Sequence, residues 1–270
     1  MNAPGPHALA CRQRFACFEL PGADPYDGHG ILGQVLLWFM KKSEVLVLFT
    51  KLPRPGSVKT RLCPPLRAEQ AAGLQAAFLE DAAAQARRAM QLRPGLAACL
   101  AVTPFEGSEE LRRHRLPLLP QEGTGLGARM TAAMARAFAA GASRVLLRGT
   151  DSPLLPLARL REGFDALAAP GVDVLLGPDH GGGYYLVGLR RPLPELFAEL
   201  PLGSASEGAT IFERSLARTE ELGLSCALLR QDLDVDLPED LERLAASLRE
   251  HPEAAPATAA FLDSMGLLRP

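Results

Sequence analysis

The sequence predicts an α/β protein in three layers: a mostly parallel central sheet with helices covering both of its faces. Two observations carry this expectation. Short runs that are apolar throughout, without polar alternation, recur along the chain, and alanine- and leucine-rich segments of helical period separate them.

The elements follow in order. EVLVLFT (44–50) is a continuous apolar run with β-branched members, as expected of a strand buried on both faces. AEQAAGLQAAFLEDAAAQARRAM (68–90) is an alanine-rich helix with one apolar face, and GLAACLAV (95–102) is the next buried strand. A short helical piece at 109–114 precedes LPLLP (116–120), a glycine-rich turn and the helix ARMTAAMARAFAAG (128–141). RVLLRGT (144–150) is a strand, PLARLREGFDALAA (156–169) a helix and DVLLG (173–177) a strand. A second glycine-rich loop leads into YYLVGL (184–189), followed by two helices through about Leu222, the strand LSCALL (224–229) and the helix PEDLERLAASLRE (238–250). From His251 onward, EAAPATAA reads as loop or loose helix.

Bulk properties narrow the function. At 270 residues, 47% hydrophobic and 22% charged, the chain can bury a full core in one domain or at most two. Its 29 basic and 31 acidic side chains leave a net charge of −2, so no whole-protein field holds nucleic acid or an anionic membrane. The five cysteines are scattered without a Cys-x-x-Cys pair, which argues against a disulfide framework or zinc site and for a reducing cytoplasm. The longest apolar window, ILGQVLLWFM, falls short of the roughly 18–20 residues of a membrane span. Residues 1–39 are rich in Gly, Pro and Cys and follow neither period, so they read as a disordered or spurious extension with Met40 as the natural start. The α/β domain is then expected over 40–250, with 251–270 as a tail.

In sheets of this kind ligands collect where strands end and loops begin. Four places qualify. In FTKLPRPGSVKTRL (49–62), Lys51, Arg54, Lys59 and Arg61 surround Gly56, and two prolines stiffen the backbone. That arrangement suits phosphate, although it is not a Walker loop; a solvated basic loop is the alternative. The loop is expected to be exposed, so that its cations contribute little to stability. In GTDSP (149–153), Asp151 follows a strand directly, where a carboxylate points into the ligand crevice or caps the next helix. In DLDVDLPED (232–240), Asp234 and Asp236 alternate with apolar residues and face one side of an extended chain. Oxygen ligands from these two segments would together hold Mg²⁺ or Mn²⁺, whereas Glu239 and Asp240 fit the first turn of a helix. Finally, Gly181, Gly182 and Gly183 let the backbone approach a bulky ligand or form a plain flexible loop, with Tyr184 and Tyr185 alternating between core and crevice. Two tempting motifs fail. GTGLGA (123–128) lacks a clean preceding strand for a dinucleotide site, and HGGG (180–183) has no G-x-S-x-G elbow to make a hydrolase.

The ordered motifs FTKLPRPGSVKTRL, GTGLGARM, GTDSPLL, GPDHGGGYYLVGL and DVDLPEDL resemble bacterial GT-A-fold transferases labelled arsenosugar-biosynthesis glycosyltransferase-like proteins, relatives of phospholactate guanylyltransferase. The likeness runs over about residues 45–244. It implies a nucleotide-diphospho-sugar transferase fold, with a nucleotide over the sheet and a divalent metal near Asp151. By the same resemblance Asp236 is the second metal ligand, Lys59 and Arg61 stabilise charge on the diphosphate, and Gly125, Gly182 and Gly183 border the nucleotide. Partners would be a nucleotide sugar, or a nucleoside triphosphate, and a small acceptor. The reaction would be glycosyl transfer, with nucleotidylyl transfer or an inactive nucleotide-binding protein as alternatives. The chain departs from the family at Gly181, where an acid is usual, so that acid's role is lost or passes to Asp179.

Overall fold

The computed structural model describes residues 42–198 and 210–269. The expectation for residues 1–39 and Met40 lies outside these residues. Seven strands form one sheet among the described residues: β1 (Glu44–Lys51), β2 (Leu96–Thr103), β3 (Leu118–Pro120), β4 (Arg144–Gly149), β5 (Val174–Pro178), β6 (Tyr184–Leu189) and β7 (Cys226–Leu228). Their order is β3-β2-β1-β4-β6-β5-β7, and β6 runs antiparallel to both neighbours while the other pairings are parallel. The α-helices among the described residues are α1 (Ala68–Leu92), α2 (Gly125–Ala139), α3 (Leu157–Ala168), α4 (Ile211–Glu221), α5 (Pro238–Glu250) and α6 (Pro256–Ser264), and the helical piece expected at 109–114 is a 3₁₀ helix (Glu109–His114). No helix among the described residues is long and apolar enough to cross a membrane.

The three layers follow from strand alternation. Leu46 and Leu48 of β1 pack with Leu79, Ala82 and Ala83 of α1 and Leu160 and Phe164 of α3. Val45 and Val47 point the other way, into a cluster with Met130, Ala133 and Met134 of α2. Both faces of β1 are therefore dry, which is why its sequence is apolar without alternation. One charged group enters this region: Glu44, 3% exposed at the start of β1, receives hydrogen bonds from Arg93 and Arg144.

Two elements differ from the expectation. Helix α2 begins at Gly125 and not at 128, because Gly123, at φ 113°, turns the chain so that the glycine-rich stretch becomes the first helical turn. A Cβ at Gly123 would lie 2.9 Å from that of Ala128. The segment after His251 is no loose end. In α6, Phe261 packs over Gly73 of α1, and Asp81 of α1 accepts hydrogen bonds from the N–H groups of Ala257 (2.9 Å) and Thr258 (2.8 Å). Helices α1, α5 and α6 thus enclose a third cluster containing Phe78, Leu244 and Leu262, and Leu62 and Val235 plug into it. These two anchors fix the loops that carry the site.

Candidate functional site

The cleft lies at the C-terminal ends of β1 and β4. It has a volume of about 320 Å³ and is bordered by Phe49, Lys51, Arg61, Arg129, Asp151 and Asp236, among others. The basic loop after β1 is pinned at two points: Val58 is 5% exposed and Leu62 fully buried. Between them Lys59 adopts a left-handed backbone (φ 48°, ψ 35°), and its side chain turns inward. This corrects the expectation of an exposed lysine, because the Lys59 side chain is only 4% exposed. Its ammonium lies 3.0 Å from Asp151 Oδ1 and donates to Asp236 Oδ1 at 3.1 Å and to the Val235 carbonyl at 2.7 Å. The Phe78 ring sits beneath, its centroid 5.7 Å from Nζ. Burial disfavours the charged amine, but Asp151, Asp234 and Asp236 outweigh it and raise the Lys59 pKa above the ordinary lysine value.

The acids arrive from two segments. Asp151 follows β4, and Val235 donates its N–H to the Asp151 carbonyl at 3.0 Å, running the second segment alongside the first. Asp151, Asp234 and Asp236 each offer an oxygen, and the three atoms lie within 4.8 Å of one another. Asp151 Oδ1 is buried and, apart from the Lys59 ion pair, has no hydrogen-bond donor among the described residues. Asp234 sits behind the other two, accepting from Ser152 Oγ at 2.9 Å. Burial, and then the charge of Asp151, push its pKa well above the ordinary carboxylate range, with Lys59 opposing. An all-oxygen donor set with one underused buried oxygen fits a hard divalent cation such as Mg²⁺ or Mn²⁺. Asp240 accepts from the N–H groups of Asp236 and Leu237, so it caps α5 as expected of a first-turn acid.

The other predicted residues divide. Arg61, 65% exposed, borders the cleft with a guanidinium nitrogen 3.9 Å from Asp236 Oδ2. Lys51 also borders it. Arg54 turns away and donates to the Glu106 carbonyl at 2.7 Å, and Gly56 serves the turn at φ 75° with open space around it. Gly125 opens α2, whose next residues Leu126, Arg129 and Met130 line the cleft. Gly182 and Gly183 make their close approaches to protein: a Cβ at Gly182 would lie 2.7 Å from Thr210, and one at Gly183 would lie 2.6 Å from Asp179. Asp179, 8% exposed, accepts from the Gly183 N–H at 2.8 Å, so it anchors this loop and is not one of the three clustered acids. Tyr184 and Tyr185 pack on opposite faces of the sheet and both border the cleft.

Several residues of the site escape a reading by motif. Arg129 borders the cleft from the first turns of α2. Gln121 donates from Nε2 to the carbonyls of Thr50 (2.8 Å) and Ala101 (2.9 Å), tying two strand ends together. Gln75 donates to Thr150 Oγ1 at 2.9 Å, and Thr150 to Thr50 Oγ1 at 3.1 Å, forming a buried polar chain under the cleft. Arg148, 1% exposed, donates to Gln85 and, at 2.8 Å, to the Ser152 carbonyl, so it holds the Asp151–Ser152 turn from behind. Burial lowers its pKa to about 10, which leaves it charged at neutral pH. Signals did exist for two of these: Arg148 interrupts an apolar strand, and Gln75 interrupts the apolar face of α1.

Comparison with known proteins places the fold. Residues 82–204 match a family described as "Uncharacterized protein conserved in bacteria (DUF2064)". A crystal structure from Desulfovibrio desulfuricans G20, described as a "putative nucleotide-diphospho-sugar transferase", is 27% identical, with a TM-score of 0.73 over 84% of this chain and 97% of that one. CMP:2-keto-3-deoxy-manno-octonic acid synthetase complexed with CTP is 12% identical, with a TM-score of 0.50 over 77% of this chain and 99% of that one, a likeness of fold alone. The protein has the GT-A-like, nucleotide-diphospho-sugar transferase type of fold, in agreement with the expectation.

Proposed function

We propose that this protein is a nucleotide-binding transferase that uses Mg²⁺ or Mn²⁺ and passes the sugar of a nucleotide-diphospho-sugar to a small acceptor. One observation carries the reading: acid and base border a single cleft. Asp151 and Asp236 stand at one wall, and Lys51, Arg61 and Arg129 border the same space. The resemblance to a protein described as a nucleotide-diphospho-sugar transferase supports the choice of donor.

In this reading Asp151 and Asp236 would hold the metal, with Asp234 behind them, and a divalent ion there would supply positive charge to offset that of the departing diphosphate. The protein's own groups do the rest. Arg61 grips two phosphate oxygens in a planar fork, while Lys51 and Arg129 add charge. Arg148 fixes the turn that aims Asp151. Leu126, Met130 and Leu147 offer an apolar surface to the nucleoside. The bond from the anomeric carbon to the diphosphate breaks with its electron pair going to the diphosphate oxygen, the acceptor oxygen bonds that carbon, and the acceptor's proton passes to solvent water.

A second reading, nucleotidylyl transfer to a phosphorylated small molecule, is favoured by the placement of Lys59 and Arg61 at 3.1 and 3.9 Å from the same carboxylate of Asp236. There the cations would stabilise the α-phosphate and departing pyrophosphate. Incubation with nucleotide sugars and nucleoside triphosphates separates the readings. Nucleoside diphosphate released from a nucleotide sugar supports the first, pyrophosphate released from a triphosphate supports the second, and binding without either product marks an inactive nucleotide-binding protein.

A further inference from the structure

We infer that Lys59 is the resident counter-ion of the three acids and makes tight metal binding conditional on a phosphate ligand. The inference rests on the reading of Asp151, Asp234 and Asp236 as metal ligands. A lysine ammonium has three N–H donors and no acceptor. Here the ammonium donates to the Val235 carbonyl (2.7 Å) and to Asp236 Oδ1 (3.1 Å), and it forms an ion pair with Asp151 Oδ1 at 3.0 Å. The lysine therefore already holds two of the oxygens that a metal would take.

The arrangement is built in, because the Lys59 side chain is 4% exposed and its backbone is left-handed at φ 48°. A non-glycine residue persists in that region only where its surroundings impose it. Here the surroundings are the buried neighbours Val58 and Leu62 on either side and the Phe78 ring beneath.

A divalent cation arriving alone meets a positive charge and must compete for Asp151 Oδ1 and Asp236 Oδ1. A phosphate brings negative charge toward which the ammonium can turn, and this frees both oxygens for the metal. Metal and phosphate then strengthen each other's binding, and by linkage the coupling is reciprocal. Arg61, at 65% exposure, stays open to the phosphate throughout.

The test is Mn²⁺ binding, followed by electron paramagnetic resonance, to the wild type and to Lys59→Met. Each is measured with and without inorganic pyrophosphate, with the protein-free Mn²⁺–pyrophosphate complex subtracted. The wild type should bind Mn²⁺ weakly alone and at least about tenfold more tightly with pyrophosphate. Lys59→Met should bind Mn²⁺ alone at least about tenfold more tightly than the wild type does and gain little from pyrophosphate. Equal Mn²⁺ affinity in the two proteins would overturn the counter-ion role while leaving the metal site standing. No Mn²⁺ binding by either, even with pyrophosphate, would remove the metal site and the inference together. Melting curves cover the case in which Lys59→Met is unfolded without metal. Mn²⁺ must then raise its melting temperature more than it raises that of the wild type, and an equal or smaller rise overturns the inference.

Discussion

Val235 donates its backbone N–H to the carbonyl of Asp151 at 3.0 Å, and this bond brings together acids from segments more than eighty positions apart. Alternate side chains of an extended segment share a face. Val235 therefore enters the core, where it is fully buried, while Asp234 and Asp236 turn toward Asp151.

The first prediction concerns these acids. Asp151→Asn and Asp236→Asn should each lower turnover by at least about a hundredfold, because a site with so few carboxylates cannot spare a charge. Both variants should remain folded, since Asn is isosteric and Lys59 keeps another acidic neighbour. Initial rates beside circular dichroism check this. Activity near the wild-type level in either variant would remove that residue from the metal site.

Lys59 and Arg61 lie two positions apart and should fail differently. Lys59→Ala leaves Asp151 and Asp236, whose side chains are 37% and 48% exposed, and the more deeply set Asp234 without their cation, and should lower the melting temperature measurably. Arg61→Ala should leave the melting temperature nearly unchanged and weaken nucleotide binding by about 1.5–3 kcal/mol, the range for hydrogen bonds to charged groups. Arg61→Lys should recover only part of that loss, because an ammonium lacks the planar fork. Melting curves and calorimetric titration separate the two residues.

A third prediction follows from Glu44. Burial alone would raise its pKa, but hydrogen bonds from Arg93 and Arg144 and their charges outweigh this and hold the carboxyl below the ordinary glutamate value. A depressed carboxylate pKa stabilises the fold above the unfolded-state value and loses that contribution as pH falls through the folded-state value. The wild type should therefore melt well above Glu44→Gln at neutral pH, and the gap should narrow below about pH 4.5. Melting temperatures of both proteins from pH 3 to 7 test the sign, and a gap that widens in acid contradicts it.

The C-terminal helix gives a fourth. Asp81 caps α6 through Ala257 and through both the N–H and the hydroxyl of Thr258. Asp81→Ala should cost about 1–2 kcal/mol, the upper part of the range for a lost cap. Removal of residues 256–270 should destabilise the protein further, by exposing Phe78 and Leu74 of α1. Urea denaturation of both variants reads the effect.

How much was legible in the sequence depended on whether the signal was local. The continuous run 44–50 announces a doubly covered central strand, and the alternation at Asp234 and Asp236 announces a shared face, because both are properties of neighbouring residues. The antiparallel pairing of β6 and the start of α2 inside GTGLGA depend on loop geometry and partners elsewhere. The inward turn of Lys59 was illegible for the same reason. Its loop has the composition of an exposed segment, and only the burial of Val58 and the docking of Leu62 into the cluster of α1, α5 and α6 reverse its direction. The docking of α6 was hidden likewise, since its anchor, Asp81, lies on α1.

The most direct test of the central claim is calorimetric titration of the wild type and of Asp151→Asn with ADP, CDP, GDP and UDP, each in Mn²⁺ and in excess chelator. At least one nucleotide should bind the wild type in Mn²⁺ and weaken by about tenfold or more both on chelation and in Asp151→Asn. Binding of none of the four under either condition, or binding indifferent both to chelator and to the loss of Asp151, would contradict the account of a metal-assisted nucleotide cleft.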